Sequence, residues 1–226
     1  MKKLSQTVKN RPVAILVHGT SIAQLEDRIE DFKEFDLCYA SVNLFSMLEK
    51  RILGKIGKKF EMVYCVSQAR MEQELGNIKE FVRRDSSTFI TTNKIDLPDT
   101  KVFYNKKPML FWNTLSRLIE LLVRARVKDI FLFGADGGAI GRDIYYAQDE
   151  FRLNERYEKM ENKYICIRND TTKMNNELPK ILGNHNTRIL NVSPESHINC
   201  FTKIDYDGAL NILNKELKWQ LAAEKK

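Results

Sequence analysis

The stretch Val13-Ala14-Ile15-Leu16-Val17-His18-Gly19-Thr20-Ser21-Ile22 decides the fold. Five consecutive apolar residues, Val13 to Val17, read as a strand covered on both faces, because a strand with one wet face would alternate. The strand runs into a loop, His18 to Ser21. Beyond it Ile22, Leu25, Ile29 and Phe32 recur at helical spacing. Strand, loop and helix in that order open a βαβ unit, the building block of a parallel sheet.

The pattern repeats outward from this point. Strands are predicted at about Leu37–Val42, Met62–Val66, Thr88–Thr91, Val102–Tyr104, Asp129–Phe133, Tyr164–Ile167 and Thr187–Val192. Between them lie helices at Met71–Arg84, with Leu75, Ile78, Phe81 and Val82 inward, and at Leu110–Arg126, apolar almost all round its first half. A charged helix at Ala147–Glu161, a helix at Lys173–Leu182 and a last one from Asp205 to Ala222 follow. The fold class is therefore α/β: a single Rossmann-like domain, its mostly parallel sheet covered by helices on both faces. Residues 1–11 read as a basic, flexible N-terminal segment and 12–226 as the domain.

Composition agrees with a folded chain of this kind. Of 226 residues 43% are hydrophobic and 10% aromatic, which excludes intrinsic disorder. The apolar run at Val13 is too short for a bilayer span or a signal-peptide core, so a cytoplasmic protein is expected. Cys38, Cys65, Cys166 and Cys200 are scattered with no CxxC pair, and no metal site is read from them. Cys38, Cys65 and Cys166 stand in strand-like runs and are expected in the core. The net charge of +7 suits an anionic partner, a nucleotide or an anionic membrane surface touched peripherally, and suits equally well a face of solvated lysines. No pattern for specific nucleic-acid recognition accompanies it.

Polar residues follow five separate strand ends, where open α/β sheets bind ligands. His18-Gly19-Thr20-Ser21 offers a glycine for close backbone approach to a phosphate, with hydroxyls and amides as donors. Thr20 or Ser21 serves equally as a helix cap. Gly134-Ala135-Asp136-Gly137-Gly138 sets three glycines around a carboxylate that could hold a ribose hydroxyl, a Mg²⁺ ion or a loop amide. Downstream, Asp143, Tyr145, Tyr146, Gln148 and Asp149 form a polar-aromatic cluster. Ser193 and Ser196 follow the last predicted strand, Asn43 the second, and Ser67 and Gln68 the third. The histidines are poor catalytic candidates: His185 lies in a turn, His18 borders the first loop and could act through its backbone alone, and His197 follows the last strand, where it could face the pocket.

Taken together and in order, these motifs resemble a superfamily. It joins MptE-like 6-hydroxymethylpterin diphosphokinases, motility accessory factor glycosyltransferases and Campylobacter-type sialyltransferases. The resemblance covers roughly residues 13 to 200 and implies a nucleotide-activated donor, with a CMP-sugar as the specific expectation. It implies nucleotide contacts at His18, Gly19, Thr20 and Ser21, at Asn43 and at Ser67 or Gln68, and a phosphate contact by Tyr146 that helps the leaving group depart. On the glycosyltransferase reading Gly134 adds to the nucleotide site, and Ser193 and Ser196 close the rim. Asp136 and Tyr146 would face the transferred group. Where those sialyltransferases carry a catalytic histidine, this chain reads Arg168-Asn169-Asp170-Thr171-Thr172, so Asp170 is the candidate base.

The expected activity is a glycosyltransferase acting on a glycan or small-molecule acceptor in surface glycan biosynthesis. The alternatives are ATP-dependent pyrophosphoryl transfer to a pterin alcohol, or a nucleotide-binding protein without catalysis. No cofactor is implied unless ATP is the substrate. In that case Mg²⁺ is expected on Asp136, Asp143 or Asp170. A homo-oligomer is compatible with everything in the sequence.

Overall fold

The computed structural model describes residues 2–8, 11–92, 102–104, 113–138 and 160–223. The chain begins α1 (Lys2–Val8), β1 (Val13–Leu16), α2 (Ile22–Arg28), β2 (Cys38–Val42), α3 (Ser46–Arg51) and β3 (Met62–Tyr64). It continues α4 (Gln68–Gln73), α5 (Leu75–Val82), β4 (Thr88–Thr91), β5 (Val102–Tyr104), α6 (Thr114–Arg124) and β6 (Asp129–Phe133). It closes with α7 (Met160–Leu182), β7 (Arg188–Asn191), β8 (Thr202–Lys203) and α8 (Tyr206–Ala223).

The eight strands form one sheet in the order β5-β4-β3-β2-β1-β6-β7-β8, and every pairing is parallel. From β1 the chain steps outward to β5, then returns through α6 to place β6 on the other side of β1. The strand order thus reverses between β1 and β6. At such a switch point the connections leave in opposite directions and open a crevice at the carboxyl ends. The register puts Leu16 level with both Ser41 and Phe133, so three strands end together there.

Alternation along each strand divides the core in two, because successive side chains point to opposite faces. Ala14, Leu16, Tyr39, Val63, Phe131 and Phe133 pack against residues of α2, α3, α5 and α8. Val13, Ile15, Ala40, Met62, Ile130 and Leu132 pack against α1, α6 and α7. This explains the unbroken apolar run at Val13, since neither face of β1 meets water. Each buried Val, Leu, Ile, Phe or Met side chain among them contributes about 1.5–3 kcal/mol by leaving water. The inward stripe Ile22, Leu25, Ile29, Phe32 is buried as expected, although its last turn is a 3₁₀ helix from Ile29 to Phe32.

Several expectations need correction. The N-terminal residues 2–8 are a helix whose Leu4 and Val8 are buried in the core, where a flexible segment was expected. The helix predicted over Met71–Arg84 is broken at Glu74 into α4 and α5. That buried carboxylate accepts from Ser46 Oγ (2.8 Å) and Asn77 Nδ2 (2.6 Å), and Leu75 is turned outward at 39% exposure.

The strand predicted at Tyr164–Ile167 lies inside α7, with Ile165 55% exposed and Cys166 exposed rather than in the core. The β-branched run is local, whereas Thr171, Met174 and Leu178 make a buried helical stripe further along, and packing of that stripe outweighs propensity. The strand missed instead is β8, only two polar residues long, pairing with Leu190 and Asn191 at the sheet edge. Of the helix predicted at Leu110–Arg126, the described part starts at Thr114. Asn113 caps it, its side chain accepting from Leu115 N (2.8 Å) and Ser116 N (3.4 Å).

Candidate functional site

The loops after β1, β6 and β7 meet at the switch point, and one carboxylate joins them. Asp136, 2% exposed, accepts through Oδ2 from Ser21 N (2.9 Å) and Thr20 Oγ1 (3.3 Å). Through Oδ1 it accepts from Ser193 Oγ (3.1 Å) and from Ser21 Oγ. Four neutral donors from two neighbouring loops thus surround a buried charge. Of the three roles open to this residue, holding a loop amide is the one found. The carboxylate expected to face a transferred group is turned inward. Its acceptor sites are taken, so it does not fit as a Mg²⁺ ligand.

The glycines serve the same junction. Gly19 N donates to Gly134 O at 2.9 Å, and a Cβ on Gly19 would stand 2.4 Å from that oxygen and 2.5 Å from Asp136 Oδ2. Gly134 sits at φ 69°, and a Cβ there would fall 2.3 Å from Val17 O. Backbone approaches backbone at both positions, which only glycine permits. These residues were expected to make room for a phosphate; in the structure they make room for each other.

Ser193 and Ser196, expected at the rim, are both buried. Ser196 Oγ lies 2.7 Å from Ala135 O and 3.1 Å from Asp136 O, and receives Asn191 Nδ2 (2.9 Å) and Ile198 N (3.0 Å). Tyr206 from α8 donates its hydroxyl to Ser21 O (3.3 Å), and burial pushes its phenol above the ordinary range. The motifs at residues 18–21, 134–138 and 191–196 are thus brought together, but their side chains mostly satisfy one another.

Around this junction lies a second set of residues, most of them half-buried. Asn43 is half-buried at φ 61°, a left-handed conformation uncommon for a residue with a side chain. Its Oδ1 accepts from Thr114 Oγ1 (3.3 Å), which ties the β2 end to α6. The His18 ring bonds through Nε2 to Leu44 O. Desolvation pushes its imidazole down to about 4, the nearby Arg70 guanidinium adding to that, so near neutral pH the ring is uncharged. Ser67 is half-buried at the start of α4, while Gln68 is exposed and bonded to Glu72 (3.1 Å).

Asp170 lies on α7 beside Thr171, whose hydroxyl donates to Gly137 O (2.7 Å). Desolvation raises the Asp170 carboxyl above its ordinary range, and Lys173 partly opposes this. Tyr146, with Asp143, Tyr145, Gln148 and Asp149, lies outside the described residues.

Sequence reasoning missed Arg70, Thr114, Thr171 and Asn175. Arg70, Thr114 and Asn175 stand in no motif, and Thr171 enters only as the neighbour of Asp170; all four are carried by the helices α4, α6 and α7. Among the described residues no group of His, Cys, Asp and Glu side chains is arranged to hold a metal ion. Nor, among them, is any helix long and apolar enough to cross a membrane. The fold defines a doubly wound, Rossmann-like α/β domain whose strand order reverses between β1 and β6. No family model, curated protein or solved structure matches the chain.

Proposed function

We propose that this protein is a transferase that binds a nucleotide-activated donor, first of all a nucleotide-sugar, at the carboxyl rim between β1 and β6. The observation that carries the reading is the junction at Asp136: three strand-end loops are locked into one rigid rim at the topological switch point. Rigid placement of loops at that position is what ligand recognition requires, and it is costly in glycines and in a buried charge otherwise. The order of motifs that resembles nucleotide-dependent transferases supports the same reading.

The junction also shifts which residues would touch the ligand. Thr20, Ser21 and Ser193 have their donors engaged by Asp136, so they shape the rim from beneath. Asn43, Ser67 and the cationic Arg70, whose Nη1 also donates to Gln73 Oε1 (3.0 Å), would meet the donor, with Asp170 on the opposite side. An acceptor hydroxyl, from a glycan or a small molecule, would enter beyond Gly137 and Gly138.

Thermal unfolding with CMP, CDP and a CMP-sugar, set against ATP–Mg²⁺, tests this. Binding to the folded state alone raises Tm in proportion to the logarithm of ligand over Kd. The expected result is a rise with the cytidine nucleotides that is reduced in Asn43→Ala. A rise with ATP–Mg²⁺ alone would transfer the assignment to pyrophosphoryl transfer, and no rise with any nucleotide would end both readings.

A further inference from the structure

The loop after β7 carries an exposed histidine on a braced backbone. His197 N donates to Asp136 O (2.7 Å), and Asn175 Nδ2 from α7 donates to His197 O (2.9 Å). The same Asn175 accepts through Oδ1 from Asn199 N (2.7 Å) and Cys200 N (3.2 Å). Ser196 Oγ receives Ile198 N (3.0 Å), and Lys203 Nζ donates to Ser196 O. Every residue from 196 to 200 is therefore held by at least one bond of this set, at a surface position where loops ordinarily vary.

The facing loop is shaped to fit it. A Cβ on Gly138 would stand 2.9 Å from His197 Cδ2 and 3.6 Å from Nε2. One on Gly137 would stand 2.6 Å from Ile198 Cγ1 and 3.0 Å from Thr171 Oγ1. These two glycines let the Cδ2–Nε2 edge of the imidazole lie against the β6 loop, one residue beyond the Asp136–Gly137 step of the switch point. An exposed histidine gains little stability from such an arrangement. Orientation of an imidazole at the carboxyl rim is what the bracing produces, and a positioned proton-transfer group needs that.

We propose that His197 accepts the proton of the acceptor hydroxyl in the transfer step, an inference that rests on the transferase reading above. The hydroxyl oxygen forms a bond to the electrophilic carbon of the activated donor, and its proton passes to an imidazole nitrogen of His197. The bond from that carbon to the nucleotide phosphate oxygen breaks, and the phosphate leaves with the electron pair. The histidine ends the step protonated and returns its proton to solvent.

Charged groups on the elements packed against this loop are Asp136 from the β6 loop, Asp170 and Lys173 from α7, and Lys203 from β8. Glu195 stands on the loop itself. Asp136 is committed to Ser21 and Ser193, and Lys203 to the Ser196 carbonyl.

The chain has three histidines, so their imidazole signals are separable by NMR in the full-length protein. Titration with CMP, and separately with ATP–Mg²⁺, is combined with pH profiles of CMP or AMP release by the wild type and His197→Gln. The expected result is a shift of the His197 signal on nucleotide addition. With it, His197→Gln should bind nucleotide within about threefold of the wild type, lose about 10²–10⁴-fold in kcat, and lack the acid limb of the profile.

A variant that keeps its kcat, or that slows while retaining the acid limb, overturns the assignment. Nucleotide binding that moves other signals with turnover independent of His197 overturns this inference alone. If no nucleotide moves any signal of the wild type, the transferase reading falls first and this one with it.

Discussion

Strand β6 begins and ends beside a buried aspartate, and the two are held in opposite ways. Asp129, 1% exposed, opens the strand at the amino end of the sheet and pairs with Arg188, while Lys128 and Glu216 complete a charged cluster. Asp136 follows the strand at the carboxyl end and is held by an amide and three hydroxyls. A salt bridge to a long side chain tolerates movement and can be partly replaced by water. A cage of short donors from separate loops tolerates neither. The amino end is built for stability with slack, and the carboxyl end for fixed geometry.

Removing each carboxylate is the sharpest way to break this contrast. Asp136→Ala leaves Ser21 N, Ser21 Oγ and Ser193 Oγ without their acceptor, and a loss of about 3–5 kcal/mol in unfolding free energy is expected. Asp129→Ala frees Arg188, which is 45% exposed and keeps Glu216 at 2.8 Å, so a loss of about 1–2 kcal/mol is expected. Urea denaturation of both variants measures the difference; equal losses would erase the distinction between the two ends.

Next in size is the backbone of the junction. Gly134→Ala must accept a left-handed conformation and a methyl 2.3 Å from Val17 O, and about 2–4 kcal/mol of destabilisation is expected from strain and displacement together. Gly57→Ala is the control, since it shares the positive φ but meets nothing within 4 Å. Its loss should stay near 1 kcal/mol. Similar losses at the two sites would show that the close approach of the loops contributes nothing.

The smallest effects are pH slopes, and they run in opposite senses at the two ends. At the carboxyl end His18 is held neutral by desolvation, its pKa lowered from 6.5 to about 4. The folded state then binds fewer protons there than the unfolded chain, so the stability is present above pH 6.5 and is lost as pH falls toward 4. His18→Gln should flatten the acid side of the stability curve across that window.

At the amino end the Glu216 carboxyl is raised above its ordinary 4.5, by desolvation first and then by Asp129. Its contribution is full below pH 4.5 and declines as pH rises beyond it. The stability advantage of the wild type over Glu216→Gln should therefore shrink on going from acid to neutral pH. Wild-type-minus-variant differences that slope in the same sense with pH at the two sites would contradict the assignment.

Much of this architecture could be read from hydropathy alone, because strand residues covered on both faces must be apolar in sequence as they are in space. Val13–Leu16, Cys38–Val42 and Asp129–Phe133 stood out for that reason. Where the pattern was short it misled. Tyr164 to Ile167 carries β-branched residues but has no sheet neighbour, and α7 continues through it. Thr202–Lys203 pairs at the sheet edge with no hydropathy signal at all. Of the candidate site, the loops were legible because glycine and polar residues end strands. Which way their side chains point was not.

From the sequence by itself came the α/β class, the parallel sheet and the loops that gather at its carboxyl edge, since periodicity and strand-end punctuation are local properties of a chain. Tertiary structure alone decided that Asp136 looks inward to Ser21, 115 positions away in sequence, and that Asn175 braces the loop bearing His197. Hydrogen bonds between distant loops depend on where the sheet brings them, and no local pattern of residues encodes that distance.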